Sequence, residues 1–521
     1  MCGIVCGVHN PPLHAELIQA SLDVMRHRGP DDSGYHTDGP VFLGNRRLAI
    51  IDIAGGRQPV FNEDRSVAVV LNGEIYNYVE LMNDLVGRGH VFATRSDTET
   101  LVHLWEEYGT EMCVHLRGMF AFALWDAKQQ VLYTGRDRLG KKPLYYTRTA
   151  DGGILGASEL KALRILAEGS EAAWSVDDQG VYDYLSLGVT PQPYTIFKGV
   201  YALEPASYIL VRLAGMKIER KKYWRLSYDN QIKTPYPSLL EQVRGHIEEA
   251  VRLRLRSDVP LGVFLSGGLD SSIVAYEAAK KVGDRLLTFS IAFKDTLFDE
   301  TPISTITASR LQIRNLALPL EIEPAEDLQR IVSLFDQPFA DSSALPTYRV
   351  SKLASEFVKV VLTGDGGDEL FGGYRRHLAA HLLRLVDWIP QRIPRALSGL
   401  IELSETRRSA VGLAARFMRG MSLSGPERYL CLTTDMFTEH DKRRCWIGAP
   451  MRPTEQWLSS IMSPSMNGMR GQMYADIKVN LLSDLLVKMD MASMAASVEA
   501  RSPLLDHVLA EFMAKVSPGQ L

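Results

Sequence analysis

The chain has 521 residues, which is more than one hydrophobic core usually accommodates, so about two to four domains are expected. Its composition, 46% hydrophobic and 23% charged, is typical of a soluble globular protein, and the net charge of -4 argues against a nucleic-acid-binding protein. Five cysteines without a Cys-x-x-Cys pair indicate neither a disulfide framework nor a zinc knuckle. No apolar run is long enough to span a membrane and no signal peptide is evident, so we expect a cytoplasmic protein.

The first predicted element is an apolar strand directly at the N-terminus, from Met1 to Val8. Removal of Met1, which a small second residue permits, would give Cys2 a free α-amino group. With a pKa near ~8, that amine could act as a base toward the thiol of the same residue. A free cysteine is more often simply buried as a small hydrophobe, so Cys2 alone does not assign a function.

Four polar motifs follow, separated by alternating apolar runs that predict strands, such as Val67–Leu71 and Phe120–Trp125. Helices are predicted over Tyr78–Gly87 and Thr98–Tyr108. This pattern is typical of a layered α+β domain that carries its chemistry on loops. The motifs are Arg26–Asp31 (RHRGPD), Asn45–Asp52 (NRRLAIID), Asn72–Asn77 (NGEIYN) and Ser96–Glu99 (SDTE).

Residues 1–225 resemble the class II glutamine amidotransferases, glutaminase domains with the N-terminal-nucleophile hydrolase fold. The resemblance implies that Cys2 attacks the side-chain amide of glutamine. It assigns the oxyanion hole to Asn72 and Gly73, whose amide and backbone N–H groups could both donate to a tetrahedral oxyanion.

The same resemblance implies a binding site for free glutamine. Arg47 would bind the α-carboxylate, Asp97 would accept from the α-amino group, and Glu74 would assist there. Asn72 is the fourth residue of the expected glutamine-binding set. One departure is Asn45, where relatives often carry histidine.

Two later stretches, Gly135–Tyr146 and Ala157–Leu163, match asparagine synthetases more closely than other class II amidotransferases. Both are interpreted as structural. A polar, proline-marked segment from Leu226 to Ser238 is interpreted as the linker between two domains.

The second half is organised around the run from Val259 to Ser272, which predicts a buried strand, a glycine turn and the start of a helix. Gly267 and Gly268 allow close approach of a ligand to the backbone, and a helix beginning at Ser271 would offer free N–H groups to a phosphate. Asp270 would place a carboxylate beside that phosphate, which favours a bridging Mg²⁺. The string Ser266–Ser272 (SGGLDSS) resembles the pyrophosphate-binding loop of ATP pyrophosphatases.

Alternating strands and helices after this loop predict an α/β domain with a mostly parallel sheet, over residues 239–521. In such sheets ligands lie at the carboxyl ends of the strands. The predicted elements are a helix over Ser271–Val282, a strand over Leu286–Phe293, a helix over Pro302–Leu311, and strands over Leu316–Ile322 and Val358–Thr363.

A second glycine-rich motif, Thr363–Gly373, follows the last of these strands, and its Asp368 could share a Mg²⁺ with Asp270. An acidic flexible loop is the alternative. By resemblance to ATP pyrophosphatases, the ATP-binding residues are expected to be Leu265, Ser266, Gly267, Gly268, Asp270, Ser271, Ser272, Gly364 and Asp365.

Further motifs, including Asp336–Ser343, Lys488–Asp490 and Arg501–Asp506, extend a resemblance to glutamine-hydrolysing asparagine synthetases over nearly the whole chain. The family adenylates the side-chain carboxylate of aspartate with ATP, and ammonia from the first domain travels through a tunnel to displace AMP. The expected partners are glutamine, ATP and aspartate or another small carboxylate, with a homodimer as one oligomeric state. No chemical role is predicted for the helical, arginine-rich region 379–463.

Two alternatives stay open. Amide- or lactam-forming synthetases share the architecture but use another carboxylate, and an inactive scaffold would retain the fold alone. The family also continues beyond the segment that matches Asp506, with a lysine that faces the acyl-adenylate. Because this chain ends at Leu521, a shortened synthetase half is expected, which would need Lys488 or a partner for that charge.

Overall fold

The computed structural model describes most of the chain in two successive halves. The described residues are 2–168, 174–229, 231–293, 299–320, 324–389, 394, 410–434, 436–462 and 468–521. Met1 and parts of the predicted linker and of region 379–463 therefore lie outside the described residues.

The described residues of the first half contain twelve strands: β1 (Gly3–Val8), β2 (Asp32–Asp38), β3 (Val41–Arg47), β4 (Val60–Phe61), β5 (Val67–Ile75), β6 (Gly118–Asp126), β7 (Val131–Arg136), β8 (Tyr145–Arg148), β9 (Ile154–Ala157), β10 (Val200–Ala202), β11 (Ser207–Arg212) and β12 (Lys217–Lys222). They make two six-stranded antiparallel sheets, in the orders β10-β8-β9-β1-β3-β2 and β12-β11-β7-β6-β5-β4.

The two sheets pack face to face through an apolar core that includes Ile4 and Leu43 of the first sheet and Val70 and Ala123 of the second. Helices cover both outer faces: α1 (Ala15–Asp23) and α4 (Leu160–Leu166) pack on the first sheet, and α3 (Glu99–Tyr108) on the second. The remaining helices of this half are α2 (Tyr78–Gly87) and α5 (Asp178–Leu187). This layered α+β arrangement confirms the predicted fold class for the first half.

Five parallel strands form the sheet of the second half, in the order β15-β14-β13-β16-β17. Their carboxyl ends lie at one edge because all five run in the same direction. The predicted parallel α/β sheet is therefore confirmed. The strands are β13 (Leu261–Phe264), β14 (Leu287–Ala292), β15 (Arg314–Pro319), β16 (Val360–Leu362) and β17 (Glu499–Arg501).

Helices surround this sheet and form the additional region predicted after it. They are α6 (Tyr236–Arg254), α7 (Leu269–Val282), α8 (Thr301–Leu311), α9 (Pro324–Phe335), α10 (Ala344–Ala354), α11 (Gly367–Phe371), α12 (Arg375–Leu385), α13 (Ala410–Met421), α14 (Gly425–Thr433), α15 (Glu439–Cys445), α16 (Thr454–Ile461), α17 (Gly468–Asp476), α18 (Leu486–Met494) and α19 (His507–Ala514). A π-helical segment, Ile477–Leu485, connects α17 to α18.

Several predicted boundaries need correction. Helix α7 begins at Leu269 rather than Ser271, because Gly268 is extended and serves as the N-cap. Strand β16 begins at Val360 rather than Val358, since the Val358 N–H donates to Ala354 at the end of α10. Strand β15 runs over Arg314–Pro319 instead of Leu316–Ile322, whose last two residues lie outside the described part.

Within the described residues, no helix is both long and apolar enough to cross a lipid bilayer.

Candidate active sites

Cys2 lies at the start of β1, in the middle of the first sheet, and only 5% of it is exposed. Its backbone N–H donates to Asn72 Oδ1 at 3.3 Å, and its carbonyl accepts from Arg28 Nε at 3.1 Å. Burial raises the pKa of the thiol, while the backbone of Leu48 and the side chain of Asn45 act in the opposite direction. The position flagged as a departure from the family pattern, Asn45, thus adjoins the candidate nucleophile.

The candidate oxyanion hole lies on the neighbouring sheet, near the end of β5. Asn72 is fully buried and donates from Nδ2 to Ser158 Oγ at 3.3 Å. Ser158 also accepts from the Ile4 N–H at 3.0 Å, so it links Asn72 to the strand of Cys2. No role was predicted for Ser158, although it belongs to one of the family motifs.

Gly73 has a backbone conformation and surroundings that only glycine tolerates. Its φ is +148°, and a Cβ atom would lie 2.0 Å from the carbonyl oxygen of Met119 on the paired strand β6. Because Gly73 has no side chain, β5 can adopt this backbone conformation and pair closely with β6.

We expect Gly73→Ala to destabilise the protein by about 3 kcal/mol, because the backbone at Met119 must move to admit the methyl group. Glutamine hydrolysis should fall with it. The matched control is Gly87→Ala, where no atom lies within 4 Å of the added Cβ. Thermal unfolding and glutaminase assays of both variants check this, and equal stability of the two would contradict it.

Besides Asn72, the candidate glutamine-binding residues Arg47, Glu74 and Asp97 lie in the same region, and the charge of Arg47 acts on Cys2. Arg47, at the end of β3, donates to the backbone carbonyls of Ile51 at 3.1 Å and Asp52 at 2.7 Å. Asp97 Oδ2 accepts the N–H of Ile75, next to Glu74 on β5, at 2.9 Å. Burial raises the pKa of Asp97 to about 6, so a cationic ligand group there would be favourable.

Glu74 connects this region to the second half. Its Oε1 lies 3.2 Å from Arg501 Nη2, and Arg501 also donates to Glu499 at 2.6 Å. Burial raises the pKa of Glu74, and the neighbouring negative charge of Glu499 raises it further. The backbone carbonyl of Arg501 accepts the N–H of Thr363 at 2.8 Å.

A cavity of about 550 Å³ lies at the carboxyl ends of β13, β14 and β16, as predicted for a parallel sheet. Seven of the nine predicted ATP-binding residues line it: Leu265, Ser266, Gly268, Asp270, Ser271, Gly364 and Asp365. The other two lie beside it. The Gly267 N–H donates to Glu300 at 2.9 Å, and the Ser272 hydroxyl donates to the Gly268 carbonyl at 2.8 Å.

The predicted metal-binding carboxylates, Asp270 and Asp368, both line this cavity. A Cβ atom on Gly367 would lie 2.2 Å from the Asp270 carboxylate, so the two loops are in direct contact. Burial, together with the charges of Asp368 and Asp365, raises the pKa of Asp270 to about 6. Clustered oxygen donors of this kind fit Mg²⁺, which would relieve their mutual repulsion.

Two cationic groups lie around the same cavity: Lys488, which was predicted to supply positive charge there, and Arg376, which was not predicted. Lys488 Nζ lies 3.0 Å from Asp341 and 2.8 Å from Ser343, a residue of the cavity wall. Arg376 Nε donates to Asp476 at 2.9 Å, while its Nη2 is buried and has no hydrogen-bond acceptor among the described residues. Lys488 belongs to a family motif, whereas only the fold brings Arg376 here.

A buried bridge also links the surroundings of Cys2 to helix α18 of the second half. Arg28, which donates to the Cys2 carbonyl, lies 2.7 Å from Asp490 Oδ2. Lys142 lies 3.0 Å from the other oxygen of Asp490. Burial alone would raise the pKa of Asp490, but the charges of Arg28 and Lys142 hold it below the ordinary value of 3.8.

We expect Asp490→Asn to destabilise the protein by about 3–5 kcal/mol, because it leaves the buried Lys142 without its ion-pair partner and leaves Arg28 with Glu159 alone. The contribution of Asp490 is full above its unfolded pKa, near ~4, and is lost as the pH falls through its lower folded pKa. Thermal unfolding between pH 7 and pH 3, with the exposed Asp84→Asn as control, measures this. Equal melting temperatures of the two variants at pH 7 would contradict it.

Each half of the chain matches a known protein family. A family model described as a glutamine amidotransferase domain matches residues 1–224, and one described as asparagine synthase matches residues 242–521. The chain is 35% identical to asparagine synthetase [glutamine-hydrolyzing] 1 of Bacillus subtilis, over all of this chain and 82% of that protein.

Two further relatives cover nearly as much. A putative glutamine-hydrolysing asparagine synthetase of Mycobacterium tuberculosis H37Rv is 33% identical, over 97% of this chain and 80% of its own length. The amidase chyE of Penicillium rubens is 30% identical, over 96% and 78%. With both family models and a full-length relative in agreement with the two-part fold, the chain belongs to the glutamine-hydrolysing asparagine synthetase family of ligases.

Proposed function

We propose that this protein uses ATP to amidate the side-chain carboxylate of aspartate, through an acyl-adenylate and with ammonia from glutamine. The glutaminase domain would comprise residues 1–225 and the synthetase domain residues 239–521. The observation that carries the proposal is that one chain holds two candidate sites joined by buried ion pairs.

In the glutaminase reaction, the Cys2 thiol attacks the side-chain amide after removal of Met1, with the new α-amine accepting the thiol proton. Asn72 and Gly73 donate to the oxyanion of the tetrahedral intermediate. The support for this role is the hydrogen bond between Asn72 and the backbone of Cys2, which holds the two groups together. Ammonia leaves when the intermediate collapses, and water then releases glutamate from the thioester.

Side chains around Cys2 would bind the glutamine substrate. The Arg47 guanidinium makes three hydrogen bonds to loop carbonyls. Its remaining N–H groups would bind the α-carboxylate of glutamine. Asp97 and Glu74 would accept from the α-ammonium. Their raised pKa values support this, because a bound cation would stabilise the charged carboxylates.

In the synthetase reaction, ATP would occupy the 550 Å³ cavity with its phosphates near the N-terminus of α7. Mg²⁺ held by Asp270 and Asp368 would neutralise phosphate charge. The aspartate carboxylate attacks the α-phosphorus, PPi leaves, and ammonia then displaces AMP. Lys488 and Arg376 supply positive charge at the cavity, where negative charge develops on phosphate and carbonyl oxygens.

A second candidate keeps both half-reactions but amidates a different carboxylate. The similarity to a relative named as an amidase favours keeping this candidate. Incubation with ATP, Mg²⁺, glutamine and a panel of carboxylic acids tests the two together, scored for PPi and for the amide product. We expect asparagine, AMP and PPi from aspartate; turnover of another acid in place of aspartate would favour the second candidate. No PPi with any acid would contradict both and leave an inactive scaffold.

A further inference from the structure

A cluster of histidine and glutamate side chains lies in the first half, apart from both candidate sites. His103 and Glu106 lie on α3, His90 lies in the loop after α2, and Glu63 lies between β4 and β5. His103 is completely buried, whereas Glu63 is partly exposed. Three segments that are distant in sequence thus meet at one point, and neither proposed reaction uses them.

Three of the four side chains place potential ligand atoms around a common centre, and Glu106 lies against both histidines. His103 Nδ1 lies 3.2 Å from Glu106 Oε2 and 3.9 Å from Glu63 Oε2. His90 Nδ1 lies 3.5 Å from the same oxygen of Glu106. The ligand atoms of Glu63, His90 and His103 all lie within 4.8 Å of one another.

Other groups hold the remaining oxygen of each carboxylate. Glu63 Oε1 accepts the N–H of Val91 at 2.9 Å, and Glu106 Oε1 accepts from Asn62 Nδ2 at 2.8 Å. Each glutamate is therefore oriented by one oxygen and presents the other to the centre.

The outer ring nitrogens face carboxylates as well. His90 Nε2 lies 3.0 Å from Glu107 Oε1, and His103 Nε2 lies 3.8 Å from Glu99 Oε1. Glu99 is itself fixed by the N–H of Ala93 at 2.6 Å. A carboxylate hydrogen-bonded behind an imidazole orients a metal-binding histidine and raises its basicity. His90 has this arrangement, whereas Glu99 is too distant from His103 Nε2 for a hydrogen bond.

We propose that Glu63, His90 and His103 bind a structural Zn²⁺, with the adjoining Glu106 as the fourth ligand. Zinc bonds of about 2.0–2.2 Å to nitrogen and oxygen place tetrahedral ligands roughly 3.3–3.6 Å apart. The observed separations of 3.2, 3.5 and 3.9 Å bracket that distance. Two imidazoles favour zinc over Mg²⁺ or Ca²⁺, which prefer oxygen ligands alone. The ion would fasten the loop at His90 to helix α3.

The test uses the full chain carrying Cys2→Ala, which removes the candidate catalytic thiol as a competing zinc ligand. After chelator treatment, Zn²⁺ is titrated calorimetrically in excess Mg²⁺, and Co²⁺ absorption reports the coordination geometry. We expect about one Zn²⁺ per chain, a tetrahedral Co²⁺ spectrum and a higher melting temperature with zinc. His90→Gln and Glu63→Gln should each weaken zinc binding at least about tenfold.

His14→Gln and Glu16→Gln are the matched controls, because both residues are exposed at the start of α1. Circular dichroism verifies that each variant is folded. If a histidine variant is not folded, the zinc affinity of Glu63→Gln provides the test, because Glu63 is partly exposed. No zinc binding, or equal affinity in His90→Gln and His14→Gln, would overturn the proposal and leave a cluster of ion pairs.

Discussion

Cys2→Ala is expected to abolish glutamine hydrolysis while synthesis from ammonium salts continues. The thiol is the nucleophile in the proposed reaction, and no other group can form the thioester. The synthetase cavity contains no part of Cys2 and should be unaffected. Glutamate release and amide formation from ammonium chloride, measured on one preparation, separate the two activities.

Cys6→Ala provides the control, because Cys6 is also buried in β1 but packs in the apolar core between the sheets. Burial raises the pKa of its thiol to about 12, so it supplies no thiolate. A Cys2→Ala enzyme that still released glutamate at the Cys6→Ala rate would refute the assignment. Retention of Met1 should be as damaging as Cys2→Ala, because it removes the α-amine from beside the thiol.

The second large effect is expected at the synthetase cavity, where Asp270→Asn or Asp368→Asn should end PPi formation and spare glutaminase activity. Each change removes one proposed Mg²⁺ ligand from a site that must hold a triphosphate. Loss of the stabilisation that the ion gives to developing phosphate charge costs several kcal/mol. ATP–PPi exchange in the presence of aspartate measures the loss directly.

Asp284→Asn is a suitable control for these variants, because Asp284 is exposed just beyond the end of α7. Exchange at the control rate in both cavity variants would show that the carboxylates are not metal ligands. Lost glutaminase activity in the same variants would instead point to a general folding defect.

The sequence predicted those parts of the sites that lie within continuous motifs. Asn72, Gly73 and Glu74 are adjacent on β5, and Ser266–Ser272 form one loop, so local spacing was informative. Ser158 and Arg376 escaped prediction because their partners, Asn72 and Asp476, lie 86 and 100 residues away. Only the fold brings such pairs together.

The misplaced start of α7 has a local cause. Leu269 is 75% exposed and therefore lies off the buried face of α7. Ser271 and Ser272 are residue types that often cap helices, so they suggested a later start. The extended Gly268 takes that role and places Asp270 in the first turn of the helix. The carboxylate is thereby held by the helix itself, which fixes its direction toward the cavity better than a loop would.

The position of Arg501 has a consequence for how the two activities can be separated. Its side chain compensates Glu74 in the candidate glutamine pocket, while its carbonyl holds Thr363 at the start of the second glycine-rich loop. Cutting the chain at the predicted linker would remove Arg501 from the glutaminase half and leave the buried Glu74 without this ion-pair partner. The candidate glutamine pocket is thus completed by a residue of the second half, so we expect the first half to be less stable alone than in the whole chain.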